Sequence, residues 1–113
     1  MLRYFINLLM FIAVVPLWAH DFEVNGYFYK ITSSVTTNRT VAITYKGSNV
    51  SEYTNEYSGA ISIPSSVTYN GISYKVTSIY QNAFKYCTDV TSVSIPNSVT
   101  SIGQGSFCST SIT

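Results

Sequence analysis

His20 is the only histidine of the chain, and its place beside Asp21 and Glu23 makes it the first candidate for chemistry. If an export leader is removed after Ala19, His20 becomes the N-terminal residue and can chelate copper through its amine and imidazole nitrogens. Copper and zinc sites recruit further nitrogen or sulfur ligands, and the sequence has no second histidine. We therefore expect no metal site and no cofactor, with His20 a solvated residue at the cut.

The sequence also lacks the residues needed for catalysis by a hydroxyl nucleophile or by paired carboxylates. A serine or threonine nucleophile needs a general base beside it, and the single histidine lies at the expected mature terminus. Glycosidases hold two carboxyl groups across a cleft, roughly 5 to 10 Å apart. Asp21 with Glu23, and Glu52 with Glu56, are better explained as solvated charge, the second pair within a polar loop over residues 46–58. The sequence predicts no catalytic residues and no enzymatic activity.

Tyrosine is the residue type best suited to binding in this chain. Tyrosine is enriched at interfaces because it buries a large area and keeps a hydroxyl for hydrogen bonding. Six of the ten tyrosines are candidates: Tyr27, Tyr29, Tyr53, Tyr57, Tyr69 and Tyr74. Two interpretations stay open, namely cross-strand packing within hairpins and a patch that contacts a sugar or a protein.

The first nineteen residues have the pattern of a secretory signal peptide. Arg3 supplies the positive charge, an apolar run covers residues 8–15, Pro16 breaks the helix, and Ala19 precedes the cut. A membrane anchor is the alternative, but residues 4–19 are shorter than the roughly 20 residues that span a bilayer. We expect export, with no stable membrane insertion after cleavage.

Removal of residues 1–19 leaves 94 residues with five basic and five acidic side chains. Proteins that bind nucleic acid carry a basic patch or a basic net charge. The balanced charge therefore excludes nucleic acid as an expected partner.

The elements that follow the leader contain an internal repeat. The run from Val76 to Ile79 returns as residues 99–102, at an offset of 23, and residues 61–67 parallel residues 93–99. A period in the low twenties is typical of a solenoid whose coils bury their apolar faces against neighbours.

The repeat divides the chain into a leader, a cap and a solenoid. Residues 20–58 form the predicted N-terminal β cap, with a hairpin at Asn25-Gly26, because both residues tolerate the positive φ that tight hairpins require. Residues 59–113 form the predicted repeats. They comprise an irregular first coil with a hairpin over residues 67–76, one full coil over 76–98 and a truncated coil over 99–113.

Side-chain directions in the full coil and on the return path after it follow from the spacing of their apolar residues. We expect an apolar interior built by the following residues: Val90, Val93, Ile95, Val99, Ile102 and Phe107. Gly103 allows the turn that a side chain would hinder. Ser62, Ser92 and Ser94 should point outward on neighbouring strands, and these are the predicted ligand contacts. Cys87 and Cys108 fall in different phases of neighbouring coils, which favours buried free thiols over a disulfide.

These residues resemble the BspA-like leucine-rich-repeat family of bacterial surface proteins. The elements that carry the resemblance are Ile-x-Ile-Pro at residues 93–96 in the form Val-Ser-Ile-Pro, and Ala83-Phe84 followed by Cys87. Tyr80 departs from the pattern, since the family has a turn glycine there. The resemblance implies a mainly β fold, with an N-terminal β-hairpin cap followed by a short leucine-rich-repeat solenoid of 23-residue coils.

The resemblance also implies a secreted or surface-exposed protein that adheres to host proteins or other cells. The leading hypothesis is a fragment of a protein- or glycan-binding adhesin, whose partner is an extracellular protein or glycan. The alternative is a truncated reading frame, a purely structural cap-and-repeat segment with no ligand of its own.

Overall fold

A computed structural model of the chain describes residues 20–47 and 56–112, and these residues form eight β-strands and no helix. The strands are β1 Phe22–Val24, β2 Tyr27–Ser33, β3 Thr40–Thr44, β4 Gly59–Ser62, β5 Ser66–Tyr69, β6 Ile72–Ile79, β7 Val90–Ser94 and β8 Ser101–Ile102. The predicted leader, Glu52 and Tyr53 lie outside the described residues.

The cap is an antiparallel unit of β1, β2 and β3. Asn25 and Gly26 connect β1 to β2 with φ values of 53° and 84°, and both are positive, as a type I′ turn requires. Strand β2 then pairs with β3, with Phe28 opposite Thr44. The predicted hairpin at Asn25-Gly26 is confirmed.

Two walls of parallel strands form the solenoid. In the first wall Ile79 of β6 pairs with Ile43 of β3 and with Ile102 of β8. In the second wall Ile61 of β4 pairs with Val93 of β7. The β5–β6 hairpin turns at Asn70-Gly71, where both φ values are again positive. Its second strand, β6, continues into the first wall. The mainly β fold class, with a hairpin cap and a short solenoid, is confirmed.

The return turns repeat in backbone conformation as well as in sequence. Positive φ occurs at Asn82 (61°) and again 23 residues later at Gly105 (72°), and likewise at Tyr86 (64°) and Ser109 (61°). The Asn82 N–H donates to the Gln104 carbonyl at 3.1 Å. Backbone bonds between successive turns therefore hold the coils in register where no strand is present.

In the second wall, one residue predicted to lie in the core is exposed. Val90 is buried and Val93 is half-buried against the core. Both can face inward although they lie three residues apart, because the pairing of β4 with β7 shifts register between Val90 and Ser92. Ile95 is exposed, although Ile63, the same position one coil earlier, is buried. The reason is that β7 covers the coil of Ile63, whereas no strand among the described residues pairs with the outer edge of β7.

The first wall shows the same pattern. Val99 and Phe107 are half-buried and pack against the core. Ile102 was predicted to fill the core and is exposed, although Ile79, the same position one coil earlier, is fully buried. Strand β8 pairs with β6 on one side only within the described residues. The position of a residue in the repeat therefore determines the direction of its side chain. The side chain is buried only where another coil packs against it.

Tyr57 joins β2 and β3 of the cap through one buried hydroxyl, and its ring contacts the solenoid. That hydroxyl accepts the Phe28 N–H at 3.1 Å and donates to the Thr44 carbonyl at 2.5 Å, so it joins β2 to the end of β3. Its ring packs against Phe84 of the solenoid, with 4.8 Å between centroids. Burial raises the pKa of Tyr57 well above the ordinary value, so the hydroxyl keeps its proton at neutral pH.

We expect Tyr57→Phe to lower the free energy of unfolding by about 2 kcal/mol, because it leaves a buried N–H and a buried carbonyl without their partner. Urea denaturation monitored by circular dichroism measures the change. The control is Tyr86→Phe at an exposed tyrosine, which should change stability by less than about 0.5 kcal/mol. Equal midpoints for Tyr57→Phe and the wild type would contradict this role.

Gly103 lies where the backbones of two coils approach closely. A Cβ added there would lie 2.3 Å from the Gln81 backbone nitrogen. We expect Gly103→Ala to destabilise the fold by about 3 kcal/mol, because the obstructing atoms are backbone and the coils must separate. Gly71→Asn is the control, since a Cβ at Gly71 meets nothing within 4 Å and asparagine tolerates positive φ. Thermal melts compare the two, and equal losses would show that Gly103 is not a contact point.

Candidate functional site

The second wall presents a flat, hydroxyl-rich outer face. Ser62 of β4 pairs with Ser94 of β7, and Ala60 pairs with Ser92. Because residues two apart on a strand share a face, the three serines lie together, and all three are exposed. We call Ser62, Ser92 and Ser94 the serine face. The structure brings the three predicted contact residues onto one surface, and their contact with a ligand stays a prediction.

A groove of about 430 Å³ opens between the cap and the first coil, and it includes one end of the serine face. Its lining residues are Val24, Asn25, Tyr27, Tyr29, Ser62, Pro64, Ser66, Val67 and Thr68. The Tyr27 hydroxyl accepts the Ser62 N–H at 3.2 Å, so the cap hairpin touches the free edge of β4. None of the lining residues is charged, and the groove is therefore suited to an uncharged polar surface.

The sequence does not predict this groove. Asn25 is predicted only as a turn residue. The hydrogen bond between Tyr27 and Ser62 is not predicted, because 35 residues separate them. Neither spacing nor alternation predicts a contact of that range. The one available signal was that a hairpin tip with a tyrosine precedes the repeat and must fold back over it.

The candidate tyrosines divide between packing and exposure. Tyr29, Tyr57 and Tyr74 are buried in the core, Tyr27 is half-buried, and Tyr69 is exposed. Tyr69 stacks on Phe22 with 4.4 Å between ring centroids. Burial raises the pKa of Tyr29 to about 12. Packing is therefore the role of Tyr29, Tyr57 and Tyr74. Tyr27 and Tyr29 both line the groove, and Tyr27 is the more exposed of the two.

Glu56 is half-buried, so its interpretation as a solvated loop charge was wrong. The Lys46 N–H donates to both carboxyl oxygens of Glu56, at 3.0 Å and 3.2 Å. Burial raises the pKa of Glu56 to about 7, although the hydrogen bond and the positive charge of Lys46 act in the opposite direction. The carboxyl therefore joins the backbone at Lys46, just after β3, to the segment that precedes β4, and it titrates near neutral pH.

The residues at the expected mature terminus also have structural roles. The ring of His20 packs edge-on against Phe28 with 5.1 Å between centroids, and burial lowers its pKa. An Asp21 carboxyl oxygen accepts the Ile31 N–H at 2.7 Å. Among the described residues, no group of three or more histidine, cysteine, aspartate or glutamate side chains could hold a metal ion.

The two cysteines differ in environment, and no disulfide joins them. Cys87 is buried in the core beside Phe84, as expected. Cys108 is exposed, which corrects the expectation that both thiols are buried. It lines a polar cleft of about 330 Å³ on the return turns, together with Gln81 and Gln104.

No helix within the described part of the chain is long and apolar enough to cross a membrane.

Comparison with known proteins agrees with this architecture. Residues 25–113 match a family model described as "BspA type Leucine rich repeat region (6 copies)". A crystal structure of a leucine-rich repeat protein from Bacteroides ovatus is similar, with 30% sequence identity and a TM-score of 0.61. The alignment covers 78% of this chain and 21% of that protein, so this chain spans about a fifth of its length. No curated protein gives a significant match.

We expect wild-type stability to fall as the pH rises from about 5 to about 7.5 through the titration of Glu56. The pKa of Glu56 in the folded protein is about 7, whereas an unfolded glutamate titrates near 4.3. The folded state therefore binds the proton more tightly, and the stabilisation present at low pH is lost as the pH rises.

Urea denaturation of the wild type and Glu56→Gln across that pH range tests the prediction. His20 acts in the opposite direction, since its lowered pKa adds stability as the pH rises, but it is present in both proteins. The difference in unfolding free energy between the two should therefore change with pH. A constant difference would contradict the titration of Glu56.

Proposed function

The chain belongs to the BspA-type leucine-rich-repeat family, and from that premise we propose that it is an exported, non-enzymatic binding module for an extracellular protein or glycan. Within that module the serine face and the adjoining groove are the binding surface. The observation that carries the proposal is their continuity, because Ser62 belongs to both. A flat face that leads into a concave pocket can contact one extended ligand along its length.

The composition of this surface supports recognition by hydrogen bonds and shape. The lining of the groove and the serine face are both uncharged. Serine and threonine hydroxyls each donate one hydrogen bond and accept two. Ligand pockets combine apolar walls with a few placed polar groups, and Val67 with Tyr27 and Asn25 provides that combination. This surface has no charged side chains that would attract a ligand from a distance.

The rigidity of the surface supports the same conclusion. The serine face lies on two paired strands, and the Tyr27 hydroxyl holds the free edge of β4. A surface built on paired strands loses little conformational entropy when a ligand binds. Solenoids commonly use such stacked strands for binding.

Three tyrosines placed on the serine face should weaken binding. We expect the triple variant Ser62→Tyr, Ser92→Tyr, Ser94→Tyr to bind at least about tenfold more weakly, because bulky rings fill the space that a ligand would occupy. The wild type is first screened on an array of extracellular-matrix proteins and an array of glycans. Titration of the strongest hit then gives the affinity.

The matched control is the triple variant Ser34→Tyr, Thr36→Tyr, Thr37→Tyr, at exposed hydroxyl residues in the connection between β2 and β3, away from the serine face and the groove. It should bind as the wild type does. Equal affinity of both triple variants would rule out the serine face as the binding surface. No binding on either array would favour a structural segment without a ligand.

A further inference from the structure

The groove between the cap and the first coil lies where the two edge strands of the larger sheet approach each other. Within the described residues, β1 pairs only with β2 and β5 only with β6, so each has a free outer edge. At one end of the gap between them, Phe22 of β1 stacks on Tyr69 of β5, with 4.4 Å between ring centroids. Val24, Asn25 and residues 66–68 line the groove. The groove is therefore the part of this gap that stays open.

Two residues of β5 direct their backbone groups away from β6. Tyr69 and Ile72 flank the two-residue turn of the β5–β6 hairpin, and such a pair exchanges both backbone hydrogen bonds. Because hydrogen-bonded and non-hydrogen-bonded pairs alternate along an antiparallel ladder, Thr68 and Ser66 are non-hydrogen-bonded positions. No other backbone hydrogen bond among the described residues uses the N–H or carbonyl of either residue. The outer edge of β5 therefore offers two donors and two acceptors at the groove.

The outer edge of β5 is less protected than its neighbours. Proteins protect free strand edges with charged side chains, with proline or with a covering group. Strand β1 carries the exposed Glu23, and at the edge of β4 the Ser62 N–H donates to the Tyr27 hydroxyl. Strand β5, by contrast, contains no charged residue and no proline. An unprotected edge of this kind is a template for pairing with another extended chain.

This edge also stays accessible in a longer solenoid. A coil added to the stack would pair with β7 and β8, the last strands of the two walls. Neither strand contributes a residue to the groove. A coil that stacks beyond them would therefore leave the groove and the outer edge of β5 uncovered.

We infer that the groove takes an extended peptide segment of a partner protein, which binds as an added strand along the outer edge of β5. This inference rests on the proposed binding role of the groove and names its ligand class. Ser66 and Thr68 present their backbone groups at the two-residue spacing of a strand, roughly 6.8 Å. An extended peptide has the same spacing, whereas a glycan has no such fixed register.

The side chains of the groove indicate which peptides would bind. A peptide that extends a sheet gains affinity from main-chain hydrogen bonds and specificity from pockets that accept every second side chain. Val24 and Tyr27 are half-buried in the lining, and none of the lining residues is charged. The side chains that enter the groove are therefore uncharged and apolar, and they alternate with side chains that point to solvent.

Selection on the full chain from a phage-displayed library of random peptides, about twelve residues long, tests the inference. Enriched peptides should carry uncharged apolar residues at every second position. One enriched peptide is then synthesised with a single N-methyl group at each position in turn. Each N-methyl group removes one backbone donor, so the affinity should fall at least about tenfold at alternate positions. The positions between them should change little.

Two proline variants test the same contact from the protein side. Thr68→Pro and Ser66→Pro each remove one outward N–H and leave the ladder with β6 intact, since proline is tolerated at such edge positions. Each should bind the synthetic peptide at least about tenfold more weakly, and circular dichroism checks that both fold. The matched control is Thr36→Pro, in the turn that the Asn38 N–H closes on the Val35 carbonyl, where proline is favoured. It should bind as the wild type does.

The outcomes separate this inference from the proposed function. A selection that enriches no peptide, an N-methyl profile without a two-residue period, or wild-type affinity in both proline variants would overturn the peptide. A glycan that binds the wild type and is weakened by the serine-face triple variant would support the proposed function and overturn the peptide. Failure to bind anything on the protein and glycan arrays, with no enriched peptide, would overturn both.

Discussion

Each coil of this protein buries its apolar side chains only by contact with the next coil, and this constraint governs the rest of the structure. The backbone meets it by fixing a register of 23 residues, which pairs Ile79 with Ile102 and places positive φ at Asn82 and at Gly105. A coil without a neighbour keeps the same backbone but not the same burial. The contrast between buried Ile63 and exposed Ile95 follows directly.

The cap covers the first coil of the solenoid at the other end, and it does so with a strand and with tyrosine side chains. Strand β3 takes the place of a coil beside β6, and tyrosine hydroxyls replace strand hydrogen bonds where the geometry changes. Tyr57 bridges Phe28 and Thr44, and Tyr27 accepts the Ser62 N–H. A hydroxyl can donate and accept at once, so it can join two chain segments whose backbones do not pair. Tyr27 and Tyr57 therefore have a structural role in the cap.

The sequence was sufficient for features set by local chemistry and by the repeat. Asn25-Gly26 and Asn70-Gly71 specify tight turns because of their own φ preferences, and the 23-residue offset specifies the parallel stacking. The exposure of Ile95 and Ile102 was not predictable, because it depends on whether a neighbouring strand is present. The half-burial of Glu56 and the contact of Tyr27 with Ser62 were also missed, since both arise between segments that no periodicity relates.

The absence of charge from residues 90–112 determines what kind of recognition the serine face permits. A ligand on that face would be selected by hydrogen-bond geometry and by the shape of the groove, since Ser62, Ser92 and Ser94 are uncharged. Recognition of this kind depends little on ionic strength, because salt screens interactions between charges.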